Sequence, residues 1–425
     1  MRSVKRLSRS RCVTSLLPLT AKRDQVTVKW TPNVTTWRKV LAGSTACALF
    51  AAGAGFLAER GPSPASATVL RRASTPNQPV RATDIGFSQG SGLLWDSDGD
   101  LARQLDGMVA VGAGWVALDI DWPSIQPVGP TTWNWANSDR VIGAARSRGL
   151  QVLGTIAYSP IWARPVNTSD KHPPLDPAAY ATFAGAVANR YASLGLHFWQ
   201  LWNEPNVTPF YSPAPDPAGF AQLLIQAADA IHAQDPSAIV MNGGLAPAPN
   251  VAGVSYEPNT FLLMLYQNGV GGHLDAIGMH PYTFPWAPTT AATWNPLYMM
   301  GYTHLIMAAF GDGAKRIWAT ESGYGTGRDG ESLDESTQAL RFAELIAAWR
   351  QLPYAANLFV YGYRDTANNP SVVWDNMGLV RRDYSPKLAV QSFRNAALGL
   401  AHSTRARRCV NSGVSVGARR HVRSC

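Results

Sequence analysis

Short apolar runs alternate with longer amphipathic segments from about residue 84 onward. The apolar runs have the length of strands buried on both faces, and the amphipathic segments have the spacing of helices with one buried face. This alternation predicts a parallel sheet with helices packed outside it. The eight predicted strands begin near Ile85, Trp115, Gln151, His197, Ala238, Ala276, Ile317 and Ala356.

Six helices are predicted between and after these strands, over residues 138–148, 177–193, 218–233, 302–310, 335–350 and 386–397. Eight units with no second pattern left over predict one closed (β/α)8 TIM barrel. We expect this domain to cover residues 83–400. It is expected to follow a leader (1–67) and a linker (68–82), and to precede a basic tail (401–425).

The positive net charge of +9 is carried by the ends of the chain. The first 67 residues contain 11 Lys or Arg against two acidic residues, and residues 405–425 contain six Arg and no acidic residue. Residues 68–404 therefore hold 20 basic and 26 acidic residues. An acidic barrel is not expected to bind the phosphates of a nucleic acid.

The apolar segment at residues 40–58 follows Arg38 and Lys39 and precedes the small residues of 65–67. This pattern predicts either a secretory signal cleaved after Ala67 or an uncleaved membrane anchor, and hence a secreted or cell-surface protein. The Arg-rich tail has two interpretations, a disordered segment or an electrostatic tether to anionic wall polymers or lipid headgroups.

The four cysteines lie at positions 12, 47, 409 and 425, outside the predicted barrel. No metal-ligand or thiol-nucleophile spacing is therefore present in the barrel, and no Gly-rich phosphate-binding motif follows the first strand. We expect neither a metal nor a cofactor. A disulfide between Cys409 and Cys425 stays an open possibility.

Two glutamates follow strands four and seven, where barrel enzymes carry their catalytic groups. Glu204 lies in a Trp-Asn-Glu-Pro motif and Glu321 in a Thr-Glu-Ser-Gly motif. Glycosidic cleavage uses two facing carboxyl groups, at about 5–5.5 Å in retaining enzymes and about 6.5–9.5 Å in inverting ones. One such Glu alone fits a surface salt bridge, whereas the matched pair favours glycoside chemistry.

These two motifs resemble the acid/base and nucleophile motifs of glycoside hydrolase clan A. The segment of residues 115–163 resembles family 39 and its cellulase-like bacterial relatives, and the resemblance extends over about residues 84–398. It implies a retaining hydrolase of O-glycosidic bonds in a polysaccharide or oligosaccharide, with Glu204 as general acid/base and Glu321 as nucleophile. The reaction would pass through a covalent glycosyl-enzyme.

The resemblance also implies roles for further residues. Asn203 would bind the sugar 2-hydroxyl, Tyr282 would orient the nucleophile and His280 would line the cleft. Aromatic residues just after predicted strands are expected to stack on sugar rings, although core packing is the alternative for each. They are Trp122, Tyr158, Trp162, Trp202, Trp286 and Tyr363.

Two positions depart from the clan pattern. The clan often has an Arg near the end of strand two, where this chain has Ala117, and we expect Arg364 to supply the missing charge. Strand eight ends near Tyr361, where the clan commonly has Trp. A transglycosylase and a non-catalytic carbohydrate-binding barrel are the alternative functions. The export segment and basic tail favour a cell-wall polysaccharide as substrate.

Overall fold

The computed structural model describes residues 79–400, which form a closed barrel of eight parallel strands paired in chain order. The (β/α)8 prediction is confirmed. The strands are β1 (Ile85–Ser88), β2 (Trp115–Asp121), β3 (Gln151–Ala157), β4 (Phe198–Leu201), β5 (Ile239–Asn242), β6 (Ala276–Met279), β7 (Arg316–Ser322) and β8 (Ala355–Tyr361).

Eight helices of ten residues or more accompany the strands within this part of the chain. They are α1 (Asp98–Ala110), α2 (Ala136–Arg146), α3 (Pro177–Ala192), α4 (Pro217–Gln234), α5 (Pro258–Gln267), α6 (Met300–Ala309), α7 (Glu335–Arg350) and α8 (Ala389–Leu398). The sequence pattern had not located α1 and α5. It had also ended β7 too early, because Glu321 lies within this strand and not after it.

Three helices begin at a proline that follows an acidic residue. Asp176, Asp216 and Glu257 each accept a hydrogen bond from a backbone N–H in the first turn of α3, α4 and α5. An acidic cap stabilises a helix start, and proline fits the first helical position because no intrahelical partner for its nitrogen is needed there. These caps fix where the loops at the mouth of the barrel end.

Aromatic rings fill the interior of the barrel towards the amino ends of its strands. The ring of Trp115 lies 4.7 Å from that of Phe198, 5.5 Å from Trp318 and 6.1 Å from Phe359, measured between centroids. We call these four rings the aromatic plug. Polar residues replace them towards the carboxyl ends of the strands, so the cleft opens at that end.

The predicted leader, export segment and basic tail, with all four cysteines, lie outside the described residues. Of the predicted linker, only residues 79–82 are described, and Val80 among them packs into the core. Among the helices of residues 79–400, none combines the length and the apolar character needed to cross a membrane.

Candidate active site

Glu204 lies in the turn that follows β4. Both Trp202, with φ 70°, and Glu204, with φ 47°, adopt left-handed backbone conformations that residues other than glycine rarely adopt. The backbone N–H of Glu204 donates to the carbonyl of Gly244 at 3.1 Å. Such conformations cluster at functional sites. The Glu204 side chain is 13% exposed.

Glu321 lies at an irregularity in the pairing of β7 with β8. Ala319 pairs with Leu358 and Ser322 pairs with Val360, so three steps along β7 match two along β8. An extra residue of this kind changes the direction in which a side chain points. Glu321 is thereby brought into the cleft, where its side chain is 18% exposed.

His280 joins the two glutamates. Its Nδ1 lies 2.8 Å from Oε1 of Glu204 and 3.9 Å from Oε2 of Glu321. One nitrogen of His280 and one oxygen of each glutamate all lie within 4.8 Å of one another. The structure thus brings Glu204, Glu321 and His280 together, as the resemblance implied.

Two hydroxyl groups hold the Glu321 carboxyl group. Tyr282 donates to Oε2 at 2.9 Å, and Ser88, the last residue of β1, donates to Oε1 at 3.1 Å. Tyr282 therefore has the contact with Glu321 that the resemblance implied. The hydrogen bond from Ser88 to Glu321 was not predicted from the sequence.

Burial and charge act together on these groups. Burial raises the pKa of Glu321 and the charge of Glu204 adds to this, while His280, Tyr282 and Ser88 oppose it. Burial lowers the pKa of His280, but the charges of Glu321 and Glu204 outweigh it and the net shift is upward. The two carboxyl groups thus stabilise the protonated imidazole relative to a buried histidine without such neighbours.

The same three residues offer the kinds of donor atoms that bind a divalent metal ion. Both oxygens of Glu321 accept hydrogen bonds from hydroxyl groups, and Nδ1 of His280 is bonded to Glu204. Because these atoms already take part in hydrogen bonds within the protein, the arrangement fits two carboxyl groups held by neighbouring side chains better than a set of metal ligands.

Tyr158 and Asn203 lie beside Glu204. Burial raises the pKa of Tyr158 well above its usual value, as do the charges of Asp119 and Glu204, against a hydrogen bond with Asn203. Nζ of Lys171 lies 3.2 Å from the centroid of the Tyr158 ring. Because Lys171 covers this ring face, that face is not free to stack on a sugar.

Trp122 and Trp202 are fully buried, so the expectation that they stack on sugar rings is wrong. Nε1 of Trp122 donates to Gln126 at 2.6 Å, and its ring stacks on Phe183 of α3. Nε1 of Trp202 donates to the carbonyl of Phe210 at 2.7 Å. Both rings pack in the core outside the strands, because the turns after β2 and β4 direct them away from the cleft.

Tyr363 and Arg364 also differ from expectation. Tyr363 is buried with its ring against Phe87, and is not a sugar platform. Arg364 donates to Asp100 at 3.3 Å and to Tyr384 at 2.9 Å. Arg364 does not supply the missing charge: the cation that lowers the Glu321 pKa is His280.

Two aromatic residues keep an exposed surface. Trp162 is partly exposed, and its Nε1 donates to the carbonyl of Gln126 at 2.7 Å. Trp286, in the loop after β6, is 41% exposed and lies 4.7 Å from Trp294 between ring centroids. Sugar stacking stays a prediction for both.

Trp374 was not found by sequence reasoning. It lies in a short 3-10 turn (Val373–Asn376) far along the loop after β8, and its ring packs on Tyr282 at 5.4 Å and on Tyr361 at 6.4 Å. Trp374 thus places an indole ring beside Tyr282, although β8 itself ends in Tyr361 and not in a tryptophan. Only a long-range contact reveals this role.

Asp119 of β2 adds a third carboxyl group to the half of the barrel in which the cleft opens. Burial raises its pKa to about 7, the charges of Asp121 and Glu321 add to the shift, and Lys171 opposes it. Lys171 comes from the loop after β3 and lies 3.3 Å from Asp170. Acidic side chains therefore outnumber basic ones among these residues of the cleft, where His280 and Lys171 are the basic groups described above.

No protein-family model and no curated protein sequence matches this chain. Solved structures do match. A family 39 glycoside hydrolase from the gut symbiont Bacteroides cellulosilyticus WH2 aligns with a TM-score of 0.62 and 19% identity, over 75% of this chain and 64% of that one. This chain thus spans less than two thirds of that protein.

Two further structures show the same likeness. A monomeric beta-xylosidase from Caulobacter crescentus CB15 has a TM-score of 0.57 and 16% identity, over 76% of this chain and 69% of its own. A GH5_18 protein from Streptomyces cattleya has a TM-score of 0.56 and 18% identity, over 77% of this chain and 83% of its own. The chain therefore has the fold of family 39 and family 5 glycoside hydrolases, as the resemblance implied.

Proposed function

We propose that this protein is a retaining glycoside hydrolase that cleaves O-glycosidic bonds of an oligosaccharide or polysaccharide. The convergence of Glu204 and Glu321 at the barrel mouth carries the proposal. One oxygen of the Glu204 carboxyl group lies within 4.8 Å of one oxygen of the Glu321 carboxyl group. This spacing supports the retaining arrangement, because an inverting pair needs about 6.5–9.5 Å to admit a water molecule.

In the first step, Glu321 attacks the anomeric carbon while the glycosidic C–O bond breaks. The electron pair of that bond stays on the leaving oxygen, which takes the proton of Glu204. The hydrogen bonds from Tyr282 and Ser88 stabilise and orient the ionised Glu321 before it attacks. Asn203, next to Glu204 in the chain, is placed to bind the sugar 2-hydroxyl.

In the second step, water hydrolyses the glycosyl ester. Glu204 takes a proton from water, the water oxygen bonds to the anomeric carbon, and the bond to Glu321 breaks.

The test is a panel of 4-nitrophenyl glycosides with wall-derived galactan and arabinan. The β-xyloside belongs in it because a fold neighbour is a beta-xylosidase. The anomeric configuration of the first product is read by proton NMR, and a 2-deoxy-2-fluoro glycosyl fluoride is used to trap the covalent enzyme. Retention and a label on Glu321 are expected. Inversion, or a label on another residue, would overturn the proposal.

The same experiment separates the alternatives. Sugar-acceptor products that dominate when an acceptor is added would identify a transglycosylase. Binding of sugars without turnover of any substrate would identify a non-catalytic carbohydrate-binding barrel.

We extend the proposal to an exported protein acting on a cell-wall glycan. The support is the apolar segment at 40–58 and the basic tail. N-terminal sequencing of the native protein is expected to give a start near Thr68. Recovery of residue 1 from a membrane fraction would favour the anchor instead.

A further inference from the structure

Lys387 is a buried cation just before α8, at the end of the long loop that follows β8. Its side chain is 2% exposed. The ammonium group donates to Oδ1 of Asp365 at 2.7 Å, to the carbonyl of Asn376 at 2.8 Å and to Oγ1 of Thr326 at 3.0 Å. An ammonium group has three donors and no acceptor, so these three contacts satisfy it fully.

The three acceptors belong to different segments at the mouth of the barrel. Thr326 lies in the loop after β7, and Asp365 lies near the start of the loop after β8. Asn376 ends the 3-10 turn that carries Trp374. The single ammonium group of Lys387 therefore ties this turn to two loops of the mouth.

The turn in its place reaches Glu321 through one tyrosine. The ring of Trp374 packs edge-on against that of Tyr282 at 5.4 Å. Val373 and Met377, on either side of Trp374, form a small buried cluster with Tyr282. Tyr282 donates to Oε2 of Glu321 at 2.9 Å. A shift of the turn would thus move the packing that surrounds the donor to Glu321.

The chemistry of this contact suits the fixing of a geometry. A buried ion pair contributes little net stability, because the loss of hydration offsets much of the attraction between the charges. A hydrogen bond donated by a cation is nevertheless about twice as strong as a neutral one. The bond from Lys387 to the Asn376 carbonyl therefore holds the turn more tightly than the neutral bond from the Thr326 N–H to the same carbonyl, at 3.0 Å.

We infer that Lys387 is a positioning residue for the proposed reaction: its ammonium group fixes the turn that holds Trp374 against Tyr282. This inference rests on the proposed glycosidase function, because the effect on the reaction passes through Tyr282 to Glu321. Within residues 79–400, the hydrogen bonds of Lys387 go to none of the groups described in the cleft. Lys387 therefore acts on the reaction only through the turn.

The kinetic test uses Lys387→Met, which removes the ammonium group and keeps an unbranched side chain. We expect kcat to fall on the order of tenfold, because misplacement by about 1 Å costs up to about 10²-fold. The acidic limb of kcat/KM should move to higher pH, by less than in Tyr282→Phe. If Lys387 acts through the turn, Lys387→Met should add little to the loss in Trp374→Leu.

The matched control is Lys315→Met. Lys315 also forms a close ion pair, with Asp312 at 2.7 Å, but it lies directly before β7, at the amino end of the barrel. Its kcat and pH profile should match the wild type. Full additivity of Lys387→Met with Trp374→Leu, or wild-type kcat in Lys387→Met, would overturn the inference.

A second variant separates positioning from stability. Lys387→Met alone leaves the Asp365 carboxyl group buried without its cation, so the melting temperature should fall. Asp365→Asn combined with Lys387→Met removes both charges and should recover much of the melting temperature. The slow kcat and the shifted pH limb should remain, because the contacts with Thr326 and Asn376 stay lost. Recovery of kcat and of the pH profile together with the melting temperature would overturn the positioning role.

Fluorine NMR separates this inference from the proposed function. In protein labelled with 5-fluorotryptophan, the Trp374 resonance is identified by its loss in Trp374→Leu. It should shift or broaden in Lys387→Met and stay unchanged in Lys315→Met. A shifted resonance in a protein that turns over no glycoside would overturn the hydrolase and still support the fixing of Trp374 by Lys387. An unchanged resonance in an active enzyme would overturn the inference and leave the hydrolase.

Discussion

The hydroxyl group of Tyr282 donates a 2.9 Å hydrogen bond to Oε2 of Glu321. This bond lowers the Glu321 pKa against the upward effect of burial. Tyr282→Phe should therefore raise that pKa and move the acidic limb of kcat/KM to higher pH. Because a hydrogen bond to a charged group contributes about 1.5–3 kcal/mol, the expected shift is about one to two pH units.

The control is Tyr298→Phe, which removes the hydroxyl group of a 55% exposed tyrosine in the same loop region. Its pH profile should match the wild type. An acidic limb that stays in place or moves down in Tyr282→Phe would contradict the orienting role.

Asp119 makes stability depend on pH. Its pKa of about 7 lies above the ordinary value of 3.8, so its contribution favours the fold at low pH and is lost as pH rises through 7. The difference corresponds to at most about 4 kcal/mol. Asp119→Asn should therefore raise the melting temperature relative to wild type at pH 8 and much less at pH 4.

Thermal unfolding at the two pH values checks this expectation. Asp106→Asn, which alters a 65% exposed carboxylate on α1, is the matched control. If the melting temperatures of Asp119→Asn and wild type differ by the same amount at pH 4 and pH 8, the pKa of Asp119 is not raised in the folded protein.

Glu204→Ala should slow substrates with poor leaving groups far more than activated aryl glycosides, because activated groups need little protonation. The loss on poor leaving groups should be on the order of 10²–10⁴-fold. Azide needs no general base, so it should accelerate the variant on activated substrates and give a glycosyl azide of retained configuration.

Leaving-group dependence and the azide product together check the role of Glu204. Equal losses on both substrate types without any azide adduct would direct attention to Asp119 or Glu257. Of these, Glu257 already caps α5 through the Thr260 N–H.

Gly244 packs directly against His280. A Cβ added at this position would lie 2.1 Å from Nε2 of His280 and 2.5 Å from Oγ1 of Thr320. Gly244→Ala must therefore displace His280, and should destabilise the protein by about 1–3 kcal/mol and lower kcat. Gly143→Ala, on an exposed helix surface with open space around it, should stabilise the protein by about 0.4–1 kcal/mol.

Denaturant unfolding and kcat measured on the two variants distinguish the outcomes. If Gly244→Ala keeps wild-type kcat and stability, the close contact between Gly244 and His280 is important for neither quantity.

The sequence predicted the barrel because each strand and most helices leave a local pattern. The bounds of β2 and β3 agree with the structure at both ends, since apolar runs there end sharply. The extension of β7 through Glu321 left no such signal, because an extra residue in a strand is defined by its pairing with β8.

Part of the site was predicted because its residues lie at the ends of strands that the sequence pattern located. Glu204, Glu321, His280 and Tyr282 follow or end strands, and a strand end fixes a position at the mouth. The direction of a side chain within a turn is not fixed in this way, and the left-handed backbone at Trp202 is one example. Trp374 and Lys171 reach the site from long loops, whose course depends on contacts distant in sequence.

The aromatic plug closes the barrel below Glu204 and Glu321, so the route into the cleft is also the route out of it. In the proposed retaining reaction, the aglycone departs before water cleaves the glycosyl ester and the glycone leaves after it, and both use this open end. Movement of a long glycan through the barrel along its axis is sterically blocked by Trp115, Phe198, Trp318 and Phe359.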